Sequence, residues 1–209
     1  MTLYAYWRSS SAWRVRIALQ LKGVEHDIRS VNLLKGEHRS SEHLAVSPLG
    51  QIPVLQLADG TCLTQSLAIC QYLDAEHPTP RLVPTDALAA AHVWAMAEVI
   101  NSGTQPLQNM TLLRTVEALG VSRLDWGQRV IGEGLRALQT LSAPHRGRYL
   151  FGDEVTLADV CLVPQLYNAR RFQLDLSDLQ PLVDIDARCA ELPAFRRAHP
   201  DVQPDAHPA

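Results

Sequence analysis

Three consecutive hydroxyls, Ser9, Ser10 and Ser11, stand where a β-prone run gives way to a helical one. The first turn of a helix carries unpaired N–H groups and a partial positive charge, so it favours anions. A hydroxyl held there can donate a hydrogen bond to a thiolate or an oxyanion. An N-cap accounts for one serine and leaves two unexplained. The second candidate is Ile52-Pro53. Backbone before a proline is extended, and X-Pro is the only common place for a cis bond. A cis Pro53 would present the N–H and C=O of Ile52 to a peptide-like ligand as an extra strand. The plainer alternative is a trans proline opening an edge strand. The third candidate is Gln65-Ser66 at a later helix start. An amide, a hydroxyl and a helix N-terminus suit a carboxylate with a nearby amine, and the plainer alternative is an N-cap at Ser66. Each alone is weak. Together they suit one ligand with a thiol, a peptide-like middle and an amino-acid end.

These residues need a small sheet to position them. Residues 2–6 form a β-prone run. Within 11–22, Trp13, Ile17, Ala18 and Leu21 have helical spacing, and Gly23 is a C′ stop. Residues 27–31 give a second strand and complete a βαβ unit. Residues 53–57 and 61–64 flank Asp59-Gly60, a hairpin signal. A helix over 66–76 follows. The order βαβ then ββα predicts a mixed four-stranded sheet with helices against it. All three candidates lie at strand-to-helix or loop-to-strand junctions of this one sheet, and in open α/β sheets sites gather at the carboxyl ends of strands.

Pro78, Pro80 and Pro84 then interrupt the chain. Proline-rich stretches stop helices and act as semi-rigid connectors. The expected division is a sheet domain over 1–80, a linker over 81–84 and an all-helical domain over 85–209. Helices are expected over 86–102, 107–119 and 122–141. Thr156 and Asp159 form a capping box, with Val155 and Val160 at the hydrophobic-staple positions, opening a buried helix to about residue 170. The polar, proline-rich stretch 200–209 is expected to fray.

Composition excludes other classes. Nineteen Lys and Arg against 22 Asp and Glu leave a net charge of −3, without the cationic footprint of a nucleic-acid binder. No run of about 18 apolar residues predicts a membrane span, and the early arginines give no apolar signal core. Cys62, Cys70, Cys161 and Cys189 match no zinc or C-x-x-C pattern and read as reduced thiols in a cytoplasmic protein. The scattered histidines suggest no metal site.

The run RSSSAWRVRIAL over 8–19 closely resembles the zeta-class glutathione transferases, whose hallmark is SSCSWRVRIAL. The resemblance continues through SPLGQIP (47–53), QSLAI (65–69), PTPRL (78–82), QPLQN (105–109), GDEVTLAD (152–159), LVPQ (162–165), Arg171-Phe172 and QPD (203–205). It covers nearly the whole chain in order. It implies a thioredoxin-like N-terminal domain, an all-α C-terminal domain, glutathione as cofactor and a homodimer. The family's best-known members isomerise maleylacetoacetate, and a close bacterial branch isomerises maleylpyruvate.

By residue, the resemblance makes Ser9 the thiolate-activating serine, with Ser10 and Ser11 completing the turn. His38 lies near the glycine end of glutathione, Ile52 beside cis-Pro53 pairs with its cysteinyl backbone, and Gln65 and Ser66 hold its γ-glutamyl group. Gln105 and Asn109 line the substrate cleft, and Arg171 matches a substrate-site arginine. Arg8, beside the serine turn, is a second candidate for the small dicarboxylate-type substrate, because guanidinium binds carboxylate in a bidentate fork. Arg14 and Arg16 read as structural or dimer-contact residues. The sequence departs from the hallmark at Ser11, where the family has cysteine, and at Ala12, where it has serine. The departure puts any mechanism using a protein thiol in doubt but leaves one using glutathione's own thiol. The maleylpyruvate branch also lacks that cysteine, whereas QPLQN looks more like the maleylacetoacetate enzymes than that branch's HPINN. Competing expectations are a glutathione transferase acting on small α-halo acids and a non-catalytic binding protein on the same fold.

Overall fold

The computed structural model describes residues 1–207, which divide into two compact units. One comprises Met1–Pro80 together with the segment from Leu192 onward, and the other is Arg81–Glu191. The final segment thus packs with the sheet unit, although sequence order places it after the helical one. Among the described residues no helix is long and apolar enough to cross a membrane, and no cluster of three metal-ligating side chains occurs.

The sheet unit has strands β1 (Thr2–Ala5), β2 (Asp27–Ser30), β3 (Val54–Gln56) and β4 (Cys62–Thr64) in the order β2-β1-β3-β4. β1 runs parallel to β2 and antiparallel to β3, which pairs antiparallel with β4. This is the expected mixed sheet. Strand alternation sends neighbouring side chains to opposite faces. Tyr4, Val31 and Val54 cluster on one face, with Val46, Ile52 and Cys62 packed against them. Leu3 and Leu55, paired across β1 and β3, are fully buried. In the hairpin, Gly60 takes φ 90° and Asp59 accepts the Thr61 N–H at 2.9 Å.

Helix α1 (Ser10–Leu21) packs against α3 (Ser66–Glu76) and against the late helix at Pro193–Ala198. Apolar spacing predicts one buried stripe, but burial extends around α1 from Ala12 to Leu19 and includes Arg14 and Arg16. The late helix covers the flank that periodicity assigns to solvent. A short helix, α2 (Ser41–Val46), intervenes before β3 and has no counterpart in the sequence reading. Lys22 at the end of α1 pairs with Asp74 of α3 at 2.6 Å and donates to the Pro80 carbonyl, tying the connector to the unit.

The helical unit contains α4 (Ala87–Asn101), α5 (Met110–Ala118), α6 (Arg123–Ser142), α7 (Leu157–Arg171) and α8 (Gln180–Ala190). α7 is its central member, packed by α4, α6 and α8. The capping box forms as expected: Asp159 accepts the Thr156 N–H at 2.8 Å and its hydroxyl at 2.9 Å. It also accepts the Leu150 N–H at 2.9 Å. Burial outweighs these hydrogen bonds and pushes the Asp159 carboxyl up to about 6.

The expected fraying of the tail is overturned for 200–206. Residues Pro200–Val202 form a 3-10 turn, and the buried Gln203 side chain donates to the carbonyls of Arg197 and His199 at 3.1 and 2.8 Å. Polar residues anchor here by hydrogen bonds rather than apolar burial, which composition does not reveal. Residues 208 and 209 of that expectation lie outside the described residues.

Candidate functional site

In the sheet unit, the turn from β1 into α1 carries Arg8 and the three serines. Ser9 is the α1 N-cap, and its Oγ accepts the Ala12 N–H at 3.3 Å. A hydroxyl accepts and donates at once, so this cap leaves the Ser9 O–H proton available. The Ser9 N–H closes the turn onto the Tyr6 carbonyl at 2.9 Å. Ser10 and Ser11 occupy the first helical positions, Ser10 buried and Ser11 half-buried. Among the described residues, their N–H groups make no intramolecular hydrogen bond. The Arg8 guanidinium lies 5.2 Å from the centre of the Trp7 ring.

The Ile52–Pro53 peptide is cis. The N–H and C=O of Ile52 find no intramolecular partner among the described residues. The loop before it is held from α2: His43 Nε2 lies 2.9 Å and Ser47 Oγ 2.8 Å from the Gln51 carbonyl, and Ser47 Oγ accepts the Gln51 N–H at 3.1 Å. Gly50, at φ 61°, brings this loop against the His38 carbonyl, which a Cβ would approach to 2.8 Å. His38 itself is half-buried in a 3-10 turn, Glu37–Arg39. The sequence reading missed His43. Ser40 capping the His43 N–H at 3.2 Å is the signal that could have placed α2.

At the next helix start the structure corrects one expectation. Gln65 occupies the N-cap position, and Ser66 is the first residue of α3. Gln65 takes φ 68°, ψ 116° with an exposed side chain. Positive φ in a non-glycine residue costs about 1–3 kcal/mol and clusters at ligand clamps. Buried Ser66 accepts from Arg14 Nη1 at 3.4 Å.

Arg16 is 2% exposed and serves the same region. Its Nε donates to Ala198 O at 3.0 Å and its Nη2 to Trp7 O at 2.8 Å. Burial pulls its pKa down to about 9, opposed by the charge of Asp205, so the guanidinium stays protonated at neutral pH. Arg14 and Arg16 are both enclosed within this unit.

In the helical unit, Gln105 and Asn109 bracket the 3-10 turn Gln105–Gln108, and Gln105 Nε2 donates to Asn109 Oδ1 at 2.7 Å. Gln108 Nε2 donates to Gln165 Oε1 at 2.6 Å, docking this turn on α7. Arg171 ends α7, six residues beyond Gln165 or about 9 Å of helix rise. Its Nη1 lies 3.4 Å from Asn168 Oδ1. The adjacent Arg170 instead forms an ion pair with Asp186 at 2.7 Å. Arg170 is thereby engaged by a carboxylate.

A turn that leaves a hydroxyl proton and two N–H groups unspent, an unpaired backbone beside a cis proline and a strained amide residue suits a peptide with a thiol and an amino-acid end. Comparisons with known proteins agree. The glutathione S-transferase N-terminal domain family matches residues 1–75 and the C-terminal domain family matches residues 105–200. The chain belongs to the glutathione transferase family, in its zeta class. A maleylacetoacetate isomerase of Mus musculus is 43% identical over 205 residues, covering 97% of this chain and 94% of that protein. The solved structure of a bacterial zeta-class maleyl pyruvate isomerase superposes with a TM-score of 0.95 at 40% identity, covering 99% of this chain and 100% of that one. A maleylacetoacetate isomerase from Anaeromyxobacter dehalogenans, with bound dicarboxyethyl glutathione and citrate, superposes at TM-score 0.90 with 48% identity, covering 99% and 97%. The zeta-class resemblance and the fold class expected from sequence are thereby established.

Proposed function

We propose that this zeta-class transferase is a glutathione-dependent cis-trans isomerase converting maleylacetoacetate to fumarylacetoacetate. The observation that carries this reading is the serine turn, in which the Ser9 cap leaves its proton free beside the unspent N–H groups of Ser10 and Ser11. The 43% identity to a maleylacetoacetate isomerase over 97% of this chain supports it. So does the dicarboxyethyl glutathione bound by the Anaeromyxobacter relative, because such a thioether is what thiolate addition to an unsaturated diacid produces.

Glutathione, when bound, supplies a thiolate that adds to the conjugated double bond, leaves a single bond free to rotate, and departs to give the trans isomer. The chain's own residues make this possible. A free thiol ionises near pH 8.5, so only a few per cent is thiolate at neutral pH. Ser9 donates its hydroxyl proton to the sulfur as a hydrogen bond, and the first turn of α1 adds positive potential. A downward shift of about two units corresponds to about 2.7 kcal/mol, within reach of such bonds. Ser10 and Ser11 complete the donor turn. Ile52, beside Pro53, pairs with the ligand's extended backbone, Gln65 and Ser66 hold its amino-acid end, and His38 serves its opposite end. Arg8 and Arg171 bind substrate carboxylates, while Gln105 and Asn109 orient the substrate.

Maleylpyruvate is the second reading, favoured by the TM-score of 0.95 to the maleyl pyruvate isomerase. A homodimer in the cytoplasm belongs to the proposal, supported by the zeta-class resemblance and four free cysteines. Glutathione balance tests the reaction class. An isomerase turns over substrate many times per glutathione and consumes none, whereas stoichiometric loss of thiol with an α-halo acid, without isomerisation, would make it a conjugating transferase.

A further inference from the structure

The segment expected to fray carries a carboxylate, Asp205, that binds backbone just before the serine turn. Asp205 Oδ2 accepts the Trp7 N–H at 3.0 Å and the Ser30 hydroxyl at 2.8 Å. The Trp7 carbonyl is held by Arg16 Nη2 at 2.8 Å, and Arg16 Nη1 reaches the Tyr6 carbonyl at 3.5 Å. Tyr6 O is also the acceptor that closes the turn with the Ser9 N–H. Arg16 Nε, finally, binds the Ala198 carbonyl at the end of the late helix. Trp7 is therefore clamped through both of its backbone polar groups by side chains of opposite charge. Only Arg8 separates it from Ser9. Trp13 of α1 packs edge-on against His199 at 5.2 Å between ring centres, adding an apolar contact to the same brace.

We propose that Asp205 and Arg16 are positioning residues that fix the orientation of Ser9, so that the C-terminal segment sets the acidity of the bound thiol from outside the site. The inference rests on the isomerase reading above. The effect of Asp205 and Arg16 passes through the Trp7 peptide groups, and a hydroxyl displaced by a fraction of an ångström loses much of a hydrogen bond's directional strength.

The test uses the full chain with Asp205→Asn and Ser30→Ala. The second variant keeps the carboxylate and its charge, removes one of its two tethers, and lies at an exposed position that folding tolerates. Thiolate absorbance of the glutathione complex is titrated against pH, and kcat and KM are measured for both substrates. The expected result is a raised thiol pKa in both variants, with kcat lowered about tenfold in Asp205→Asn and KM for glutathione changed less than about twofold. Ser30→Ala should show the same pattern, weaker. Asp205→Glu, which restores the carboxylate, should recover part of kcat. A fall in Tm with the thiol pKa and kcat of the folded protein unchanged would reduce the tail to a stabilising contact and overturn the proposal. If Asp205→Asn does not fold, Ser30→Ala decides between these outcomes by the same titration. Failure of the isomerase reading is separately visible, as wild-type protein that binds glutathione but isomerises neither maleylacetoacetate nor maleylpyruvate.

Discussion

Ser9 performs two tasks with one oxygen. Its lone pair caps α1 through the Ala12 N–H at 3.3 Å, and its proton remains for a ligand. Ser9→Ala is therefore expected to lower kcat about 100-fold, as loss of an aimed donor does, and to cost about 1 kcal/mol of stability through the lost cap. Titrating thiolate absorbance separates the effects, because an unchanged thiol pKa would remove Ser9 from the chemistry. Arg171→Ala should raise KM for the diacid severalfold while leaving KM for glutathione nearly unchanged. Equal effects on both would count against a carboxylate role. At this scale much of the candidate site was legible. Three serines exceed what a cap needs, and Gln-Ile-Pro and Gln-Ser stand at junctions. The positive φ of Gln65 was not legible, because it arises from how β4 enters α3 rather than from residue type. Arg16 reads from sequence only as a structural or dimer-contact residue, and its task was not legible because its carbonyl partners come from residues 7 and 198.

Elements were legible where local signals agree with packing. The capping box at Thr156 and Asp159 is such a case, and it has consequences for stability. Asp159→Ala removes the acceptor for the Leu150 and Thr156 N–H groups and the Thr156 hydroxyl. It should destabilise the protein by about 3 kcal/mol in urea unfolding. The pH dependence follows from the carboxyl being raised by burial to about 6 in the folded chain, above its unfolded value near 3.9. Folding then favours the protonated form. Stability contributed by this group is present below about pH 4 and falls as pH rises to about 6. Wild type should lose stability relative to Asp159→Asn across that window and no further above it. Relative stability rising with pH would contradict this assignment. Other elements escaped the reading. α2 is a six-residue helix, too short for periodicity to register. α8 buries Leu182, Ile185 and Cys189, an i, i+3, i+7 pattern that was available but lies beside polar residues that mask it. The tail's order depends on partners nearly two hundred positions away, Trp7 and Ser30, which no local signal can encode.

The whole molecule places a donor-rich turn, an unpaired backbone beside a cis proline and a strained amide in one unit, and an arginine-terminated helix and an amide pair in the other. The βαβ-ββα order was readable because each strand is bounded by a clear turn or helix signal. Return of the last segment to the first unit was not, because sequence order alone offers no reason for it. Replacement of the family cysteine by Ser11 leaves the proposed chemistry intact, since the attacking sulfur belongs to the cofactor. Ser11→Cys should accordingly retain glutathione binding and turnover, checked by calorimetry and steady-state rates, and loss of binding would show that the serine itself is required. The most direct measurement is a spectrophotometric assay with maleylacetoacetate and with maleylpyruvate, each with and without catalytic glutathione. The account predicts conversion of maleylacetoacetate that depends on glutathione and leaves total thiol constant. Glutathione binding with no conversion of either diacid would contradict it.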